Sequence, residues 1–313
     1  MKTARIILLS VFFSIFLVVT WLFAGSATAQ QLDGPFLIES FPVAGGASGL
    51  AFDGANIWTL DVDNSTVTKL RASDGVILGT FPVGLGPSGI VFDGANIWVC
   101  NAYSDNLTKL RASDGTLLDT FDVRRNPLFL AWDGANIWVT IASQNAVTKL
   151  RGSDGRVLGN FAVGNDPHGI LFEGTNIWVA NSLDGTVNKL RASDGTLLDT
   201  VPVGTFPVGL AFDGAKIWVT NANSNDVTAV RASDGMVRGT FPVGMEPVGI
   251  AFDGENIWVT AAKYDSVKVL RAKNGASRGS LVVDKSPNAA LFDGTSIWVA
   301  ASGAVDKITR TTE

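Results

Sequence analysis

Seven tryptophans fall at one interval: Trp58, Trp98, Trp138, Trp178, Trp218, Trp258 and Trp298 are each 40 residues apart, without a slip. A fixed period of this size marks a solenoid, a propeller or an array. The repeat takes up nearly all of the chain beyond its first 29 residues, so it decides the fold.

The content of one copy selects among these architectures. From Pro207, "VGLAFD" is a short apolar run closed by Asp213-Gly214, and "KIWVTN" is a second run rich in β-branched and aromatic residues. "DVTAVRAS" is closed by Asp234-Gly235, and "MVRGTFPV" is followed by Gly244. Four strand-length runs divided by Asp-Gly and Gly/Pro/Asn clusters leave no room for a helix. Four antiparallel strands per copy form a propeller blade, so seven copies predict an all-β, seven-bladed β-propeller over residues 30–313. Pro42, Pro82, Pro202 and Pro242 fall in the fourth run. Proline cannot donate to a ladder, which places that strand at the outer edge and the first strand at the central channel. The Trp and the Phe before Asp-Gly then fill the space between blades, each indole removing roughly 150–250 Å² from water. The last copy lacks a fourth run, whereas "PFLIESFPV" (residues 35–43) aligns with "GVILGTFPV" (residues 75–83). The N-terminal strand is expected to complete the last blade and close the ring, because an open ring leaves sheet edges unpaired.

Residues 1–29 stand apart from the repeat. Lys2 and Arg5 precede an apolar run over residues 6–23, followed by Ser26-Ala27-Thr28-Ala29. This is the pattern of a secretory signal peptide cut after Ala29, giving a secreted or periplasmic protein. The run is long enough that an uncleaved N-terminal membrane anchor is the alternative. Cleavage removes two positive and no negative charges from a chain of net charge −5, and an acidic chain without a basic run is no partner for nucleic acid. A monomer is expected. The single cysteine, Cys100, stands where other copies carry Thr140, Ala180, Thr220 and Thr260, which reads as a small buried strand residue.

"WVTN" at residues 218–221, "WVT" at 258–260, the flanking "PVGIAFDG" and "VTKLRASDG", and the closing "FPVG" resemble the pattern of YVTN-repeat β-propellers, with Trp in place of Tyr. The resemblance covers all seven copies and implies a surface or exported propeller with a binding role. A looser resemblance is to the virginiamycin B lyase-like propellers, also seven-bladed. It is carried by Pro167-His168-Gly169-Ile170 and by the aromatic of the second strand. It implies catalysis with more than one His, a nearby Glu and a divalent metal; this chain has one His.

Comparison of the copies separates scaffold from variation. The first-to-second and third-to-fourth connections, Asp-Gly-Ala-Asn and Ala-Ser-Asp-Gly or near variants, hardly change, and turn mechanics account for them. The Arg preceding the latter turn reads as a solvated strand-end charge. The second-to-third loops ("DVDNST", "NAYSDN", "AAKYDS") and fourth-to-first loops ("RRNPL", "GNDPH", "GMEPV") vary freely, and in an up-and-down blade both lie on one face. Binding residues sit on such loops over a rigid scaffold. The expected channel-mouth ring is Ser48, Ser88, Leu128, His168, Val208, Val248 and Asn288. The candidate ligand-binding residues are Arg124 and Arg125, suited to clamping a carboxylate or phosphate, with His168, Asp166, Glu246, Tyr103 and Tyr264. "DVDNS" at residues 61–65 opens like a calcium loop but lacks its Gly and distal Glu. No metal or cofactor is expected.

The sequence carries no G-x-S-x-G, no H-E-x-x-H and no Cys pair. The expected function is a non-enzymatic, exported scaffold that binds a protein, glycan or small ligand through the variable face. The alternative is a metal-assisted lyase or hydrolase using His168 and an acid such as Glu246.

Overall fold

The computed structural model describes residue 32 and residues 35–311. The segment read as a signal peptide lies outside them. Among the described residues the chain forms β-strands and two short 3₁₀ turns, Ala142–Gln144 and Ala262–Tyr264. A representative copy runs Pro207–Phe212, Lys216–Asn221, Asp226–Arg231 and Val237–Pro242, each strand antiparallel to the next. Second strands such as Asn176–Asn181 are buried along their whole length, so they read as continuous apolar runs. Fourth strands such as Val157–Ala162 are mostly exposed and end their sheets, where a ladder-breaking Pro is tolerated.

The strands group into six hydrogen-bonded sheets, five of four strands and one of six. The expected seven blades are therefore corrected: as hydrogen-bonded units the blades number six, with seven copies of the repeat distributed over them. The cause is the N-terminal strand, Phe36–Phe52, which is 17 residues long. It pairs with the C-terminal strand, Ser296–Arg310, from Phe36 opposite Arg310 to Pro42 opposite Ala304, and then with Asn56–Asp61, from Ala47 opposite Asp61 to Phe52 opposite Ile57. Two copies are thereby carried in one sheet. At the junction Gly46 pairs with Ser302 and Ala47 with Asp61, so the backbone passes from one partner strand to the other without leaving the ladder.

Seven hydrophobic clusters, each built round one of the periodic tryptophans, join one copy to the next. Trp298 packs with Ala47 and Ile57, so this core continues across the chain ends. Each seam is also braced by polar contacts. The Asp of the first turn accepts the indole N–H, as Asp133 Oδ2 does from Trp138 Nε1 at 2.7 Å. The Lys opposite the Trp lies over its ring, with Lys69 Nζ 5.0 Å from the Trp58 centroid, and donates across the seam to the Ala112 carbonyl at 2.7 Å. Lys307 makes the same bond to Ala72 at 2.8 Å. Where Ala229 replaces the Lys, Lys216 reaches from the second strand to the Ala272 carbonyl at 2.8 Å.

Candidate functional site

The two kinds of connection lie at opposite ends of the sheets. Variable loops bond to one another: Tyr103 N donates to Leu85 O at 3.1 Å, Ser182 N to Asp166 O at 3.0 Å and Ala262 N to Glu246 O at 3.2 Å. Constant turns likewise bond to constant turns, as Ala72 N does to Ala55 O at 3.0 Å.

First strands from all copies enclose a central cavity of about 770 Å³, from residues 48–50 round to residues 288–290. Val62, Ala102, Tyr103 and Asn126 extend it onto the variable face. Glycines set its width. A Cβ on Gly89 would lie 2.4 Å from the Leu128 carbonyl oxygen, and one on Gly169 2.0 Å from that of Val208. Neighbouring first strands therefore approach until backbone meets backbone. Six of the seven expected mouth residues line this cavity.

His168, the seventh, turns instead against two aromatics. Its ring lies 6.2 Å from that of Phe129 and 5.6 Å from that of Phe206, the latter edge-on at 76°. His168 Nε2 is 3.2 Å from Asp166 Oδ2. Burial pulls the imidazole below its ordinary pKa, and the Asp166 carboxylate opposes this without overcoming it. At neutral pH the ring is therefore largely neutral. A proton on Nε2 serves Asp166 and leaves Nδ1 as an acceptor. Asp166 and Phe206 both have left-handed backbones, with φ of 54° and 58°. For Phe this costs roughly 1–2 kcal/mol, and such strain concentrates at ligand sites. Gly86, at φ 64°, holds the corresponding place in another loop without that cost.

The other candidates fall into separate groups. Tyr103 is 80 % exposed and lines the cavity, beside Leu85 at 61 %. Glu246 faces Lys263 at 3.5 Å rather than His168, and Tyr264 projects from the adjoining 3₁₀ turn at 60 % exposure. Arg124 donates to Gln144 Oε1, tying its loop to the neighbouring 3₁₀ turn. Arg125 is exposed, and its carbonyl accepts from Ser143 Oγ at 2.7 Å. The expected partnership of His168 with Glu246 is thus replaced by one with Asp166. Phe129 and Phe206 were missed. Their signal was aromatic residues at positions 129 and 206, where most other copies carry Gly and a small or acidic residue respectively. Cys100 is buried and unpaired, and burial pushes its thiol well up, so it is a packing residue. Among the described residues no group of three or more His, Cys, Asp or Glu is arranged to hold a metal ion. No helix among them is long and apolar enough to cross a membrane.

The sequence matches no protein-family model and no curated protein. Solved structures do match. A streptogramin B lyase structure is 18 % identical over 88 % of this chain and 98 % of its own, with a TM-score of 0.77. Virginiamycin B lyase from Staphylococcus aureus is 18 % identical over 88 % of this chain and 100 % of its own, also at 0.77. Hydrazine synthase from Kuenenia stuttgartiensis is 17 % identical over 85 % of this chain and 96 % of its own, at 0.74. At these identities the likeness is one of fold: the chain is a β-propeller.

Proposed function

We propose that this chain is an exported propeller of the YVTN-repeat kind. In this reading it acts as a binding scaffold and takes its ligand at the channel mouth on the variable face. The observation that carries the reading is the open 770 Å³ cavity, whose lining Phe129 stands beside a His168 held against the strained Phe206. Apolar walls with a few convergent polar groups are the usual make-up of a ligand pocket. Asn126 and the exposed Tyr103 supply those groups from the lining, and the neutral His168 stands beside the lining Phe129, which suits a small molecule, a glycan or a peptide end. Residues 1–29 would direct export, or anchor the chain if uncleaved.

The test begins with the ligand. Native mass spectrometry of the exported protein identifies what co-purifies, and titration follows with Phe129→Ala and with the double variant Arg124→Ala/Arg125→Ala. Loss of affinity of about tenfold or more in Phe129→Ala places the ligand at the mouth. Undiminished affinity in that variant refutes the site. Recovery of a protein beginning at Gln30 outside the cytoplasm tests export.

A second reading rests on the imidazole–carboxylate pair at the mouth, His168 with Asp166 at 3.2 Å. Such a pair can take a proton from a substrate held in the cavity. Two of the similar folds are lyases, and one solved virginiamycin B lyase structure contains quinupristin. Incubation with quinupristin, with and without a divalent cation, decides it: consumption by the parent protein and not by His168→Ala supports catalysis.

A further inference from the structure

The copy nearest the C-terminus carries a carboxylate at one buried position where no other copy has one. The pair formed there between third and fourth strands is uncharged in five copies, Thr68 with Thr80, Thr108 with Thr120, Thr148 with Asn160, Asn188 with Thr200 and Thr228 with Thr240, and is Lys268 with Ser280 in the sixth. In the last copy it is Asp306 opposite Ser40 of the N-terminal strand. Asp306 is 1 % exposed.

Its surroundings have changed with it. In three copies an Asn amide at the end of the second strand donates to this position: Asn101 to Thr108 at 2.8 Å, Asn181 to Asn188 at 2.9 Å and Asn221 to Thr228 at 2.9 Å. The last copy has Ala301 there. The loop residue beside that Asn is glycine, and a Cβ on Gly84 would lie 2.6 Å from Asn101 Cγ. Ala301 removes the obstacle, and the loop residue is now Asp284. An amide donor has been exchanged for a second carboxylate.

The bonding that results is one-sided. Asp284 N donates to Asp306 Oδ2 at 2.8 Å, and Ser40 Oγ to Asp284 Oδ2 at 2.5 Å. Asp306 Oδ1 is buried with no partner. The backbone bond does not require a charge, since Gly164 N makes its equivalent to the neutral Asn188 at 2.9 Å. The adjacent Lys307 is turned away to the carbonyls of Ala72 and Ser73. Among the described residues neither carboxylate has an ion-pair partner within 4 Å. Burial and the neighbouring Asp284 push the Asp306 carboxyl up, as expected for two acids that face each other.

We propose that Asp284 and Asp306, with the Ser40 hydroxyl, form a binding site for a hard cation of the Ca²⁺ class that fastens the N-terminal strand to the C-terminal strand. Oxygen donors alone suit such an ion, and the exposed side of Asp284 leaves its remaining positions to water. The ion joins three segments distant in sequence: Ser40 on the first strand, Asp284 in a loop and Asp306 on the last strand. A cation bound only when these meet stabilises the closed ring by mass action.

The test uses the purified protein at pH 7.5, freed of metal with EDTA and titrated with CaCl₂ by calorimetry and thermal melting. The expected result is one site and a Tm rise of about 5 °C when Ca²⁺ exceeds its Kd about a hundredfold. Asp306→Asn and Asp284→Asn should abolish both. Asp306→Asn should melt in EDTA no lower than the parent, because it removes a buried repulsion, and this separates loss of the site from loss of the fold. A Ca²⁺ shift that persists in both variants overturns the proposal. So does a parent protein indifferent to Ca²⁺ that gains stability only as the pH falls, for then the two acids share a proton instead.

Discussion

The two faces of the ring are built by opposite rules. On the constant face the same residues make the same bonds in copy after copy. Asp53, Asp93, Asp133, Asp213, Asp253 and Asp293 each accept a tryptophan N–H, and Arg71, Arg111, Arg151, Arg191 and Arg231 each pair with an Asp three residues on. On the variable face lie all the non-glycine residues with positive φ among the described residues, from Ser65 to Ser286. One face satisfies its donors with the same residues in each copy, and the other repeats the same two left-handed loop positions but fills them with residues that differ from copy to copy. Gly86 takes the same conformation without that cost, so a bulky residue such as Phe206 there carries strain that the fold itself does not require.

The largest test of this contrast bears on the closure both faces share. Deleting residues 36–43 strips the C-terminal strand of its partner from Arg310 to Ala304 and removes Phe41 from Trp298 and Phe36 from Trp258. Loss of a cooperative melt, with aggregation on size-exclusion chromatography, is expected. A deleted protein that melts like its parent would mean that the seams alone hold the ring.

How much of this was legible follows from what a repeat encodes. The Trp period and the Asp-Gly turns report each copy's local structure, so strand number, strand order and the division into two faces could be read directly. The number of sheets could not. It depends on whether the backbone runs on through residues 44–46, where Gly46 pairs with Ser302 just before Ala47 pairs with Asp61, and a repeat pattern does not record that continuity. The turn Asp was read only as a turn residue. Its second oxygen holds the indole five residues on, a bond that appears only once the strand pair is folded. At the mouth, His168 stood out because it is the only His, but Phe129 and Phe206 belong to the preceding and following copies and meet it only through the ring.

Constant-face bonding is broken most sharply at one Asp. Asp133→Ala strands the Trp138 N–H, the Asn136 side chain and the backbone amides of Ala135 and Asn136. A loss of about 3 kcal/mol is expected in urea unfolding. The carboxyls of Asp53, Asp93, Asp133, Asp213 and Asp293 feel burial, which raises them, but the indole, amide and backbone donors outweigh it and hold each below its ordinary value. A group with a lowered folded pKa stabilises fully above its unfolded value and ceases to as the pH falls through the folded one. Stability should therefore hold above about pH 4 and drop below it, less steeply in Asp133→Ala.

Repetition also predicts a gain. Glu173 stands where the other turns have Asp, and its extra methylene carries the carboxylate to Asn176 and Thr175, leaving the buried Trp178 Nε1 without a partner. Glu173→Asp restores the shared geometry and should stabilise by about 1 kcal/mol in the same assay. No change would show that the indole N–H is already satisfied by water.

The smallest stability effect belongs to the variable face, and there it is the diagnostic one. Phe206→Gly relieves a left-handed Phe but gives up its edge contact with His168, two terms of opposite sign and similar size. Unfolding free energy should stay within about 1 kcal/mol of the parent. Binding should not stay with it, since the ring that holds His168 beside the cavity-lining Phe129 is gone. A variant equal in stability and at least tenfold weaker for the co-purified ligand would show that the strain serves recognition. If affinity is unchanged while stability rises, Phe206 is a tolerated defect, and the contrast between the faces reduces to one of loop variability.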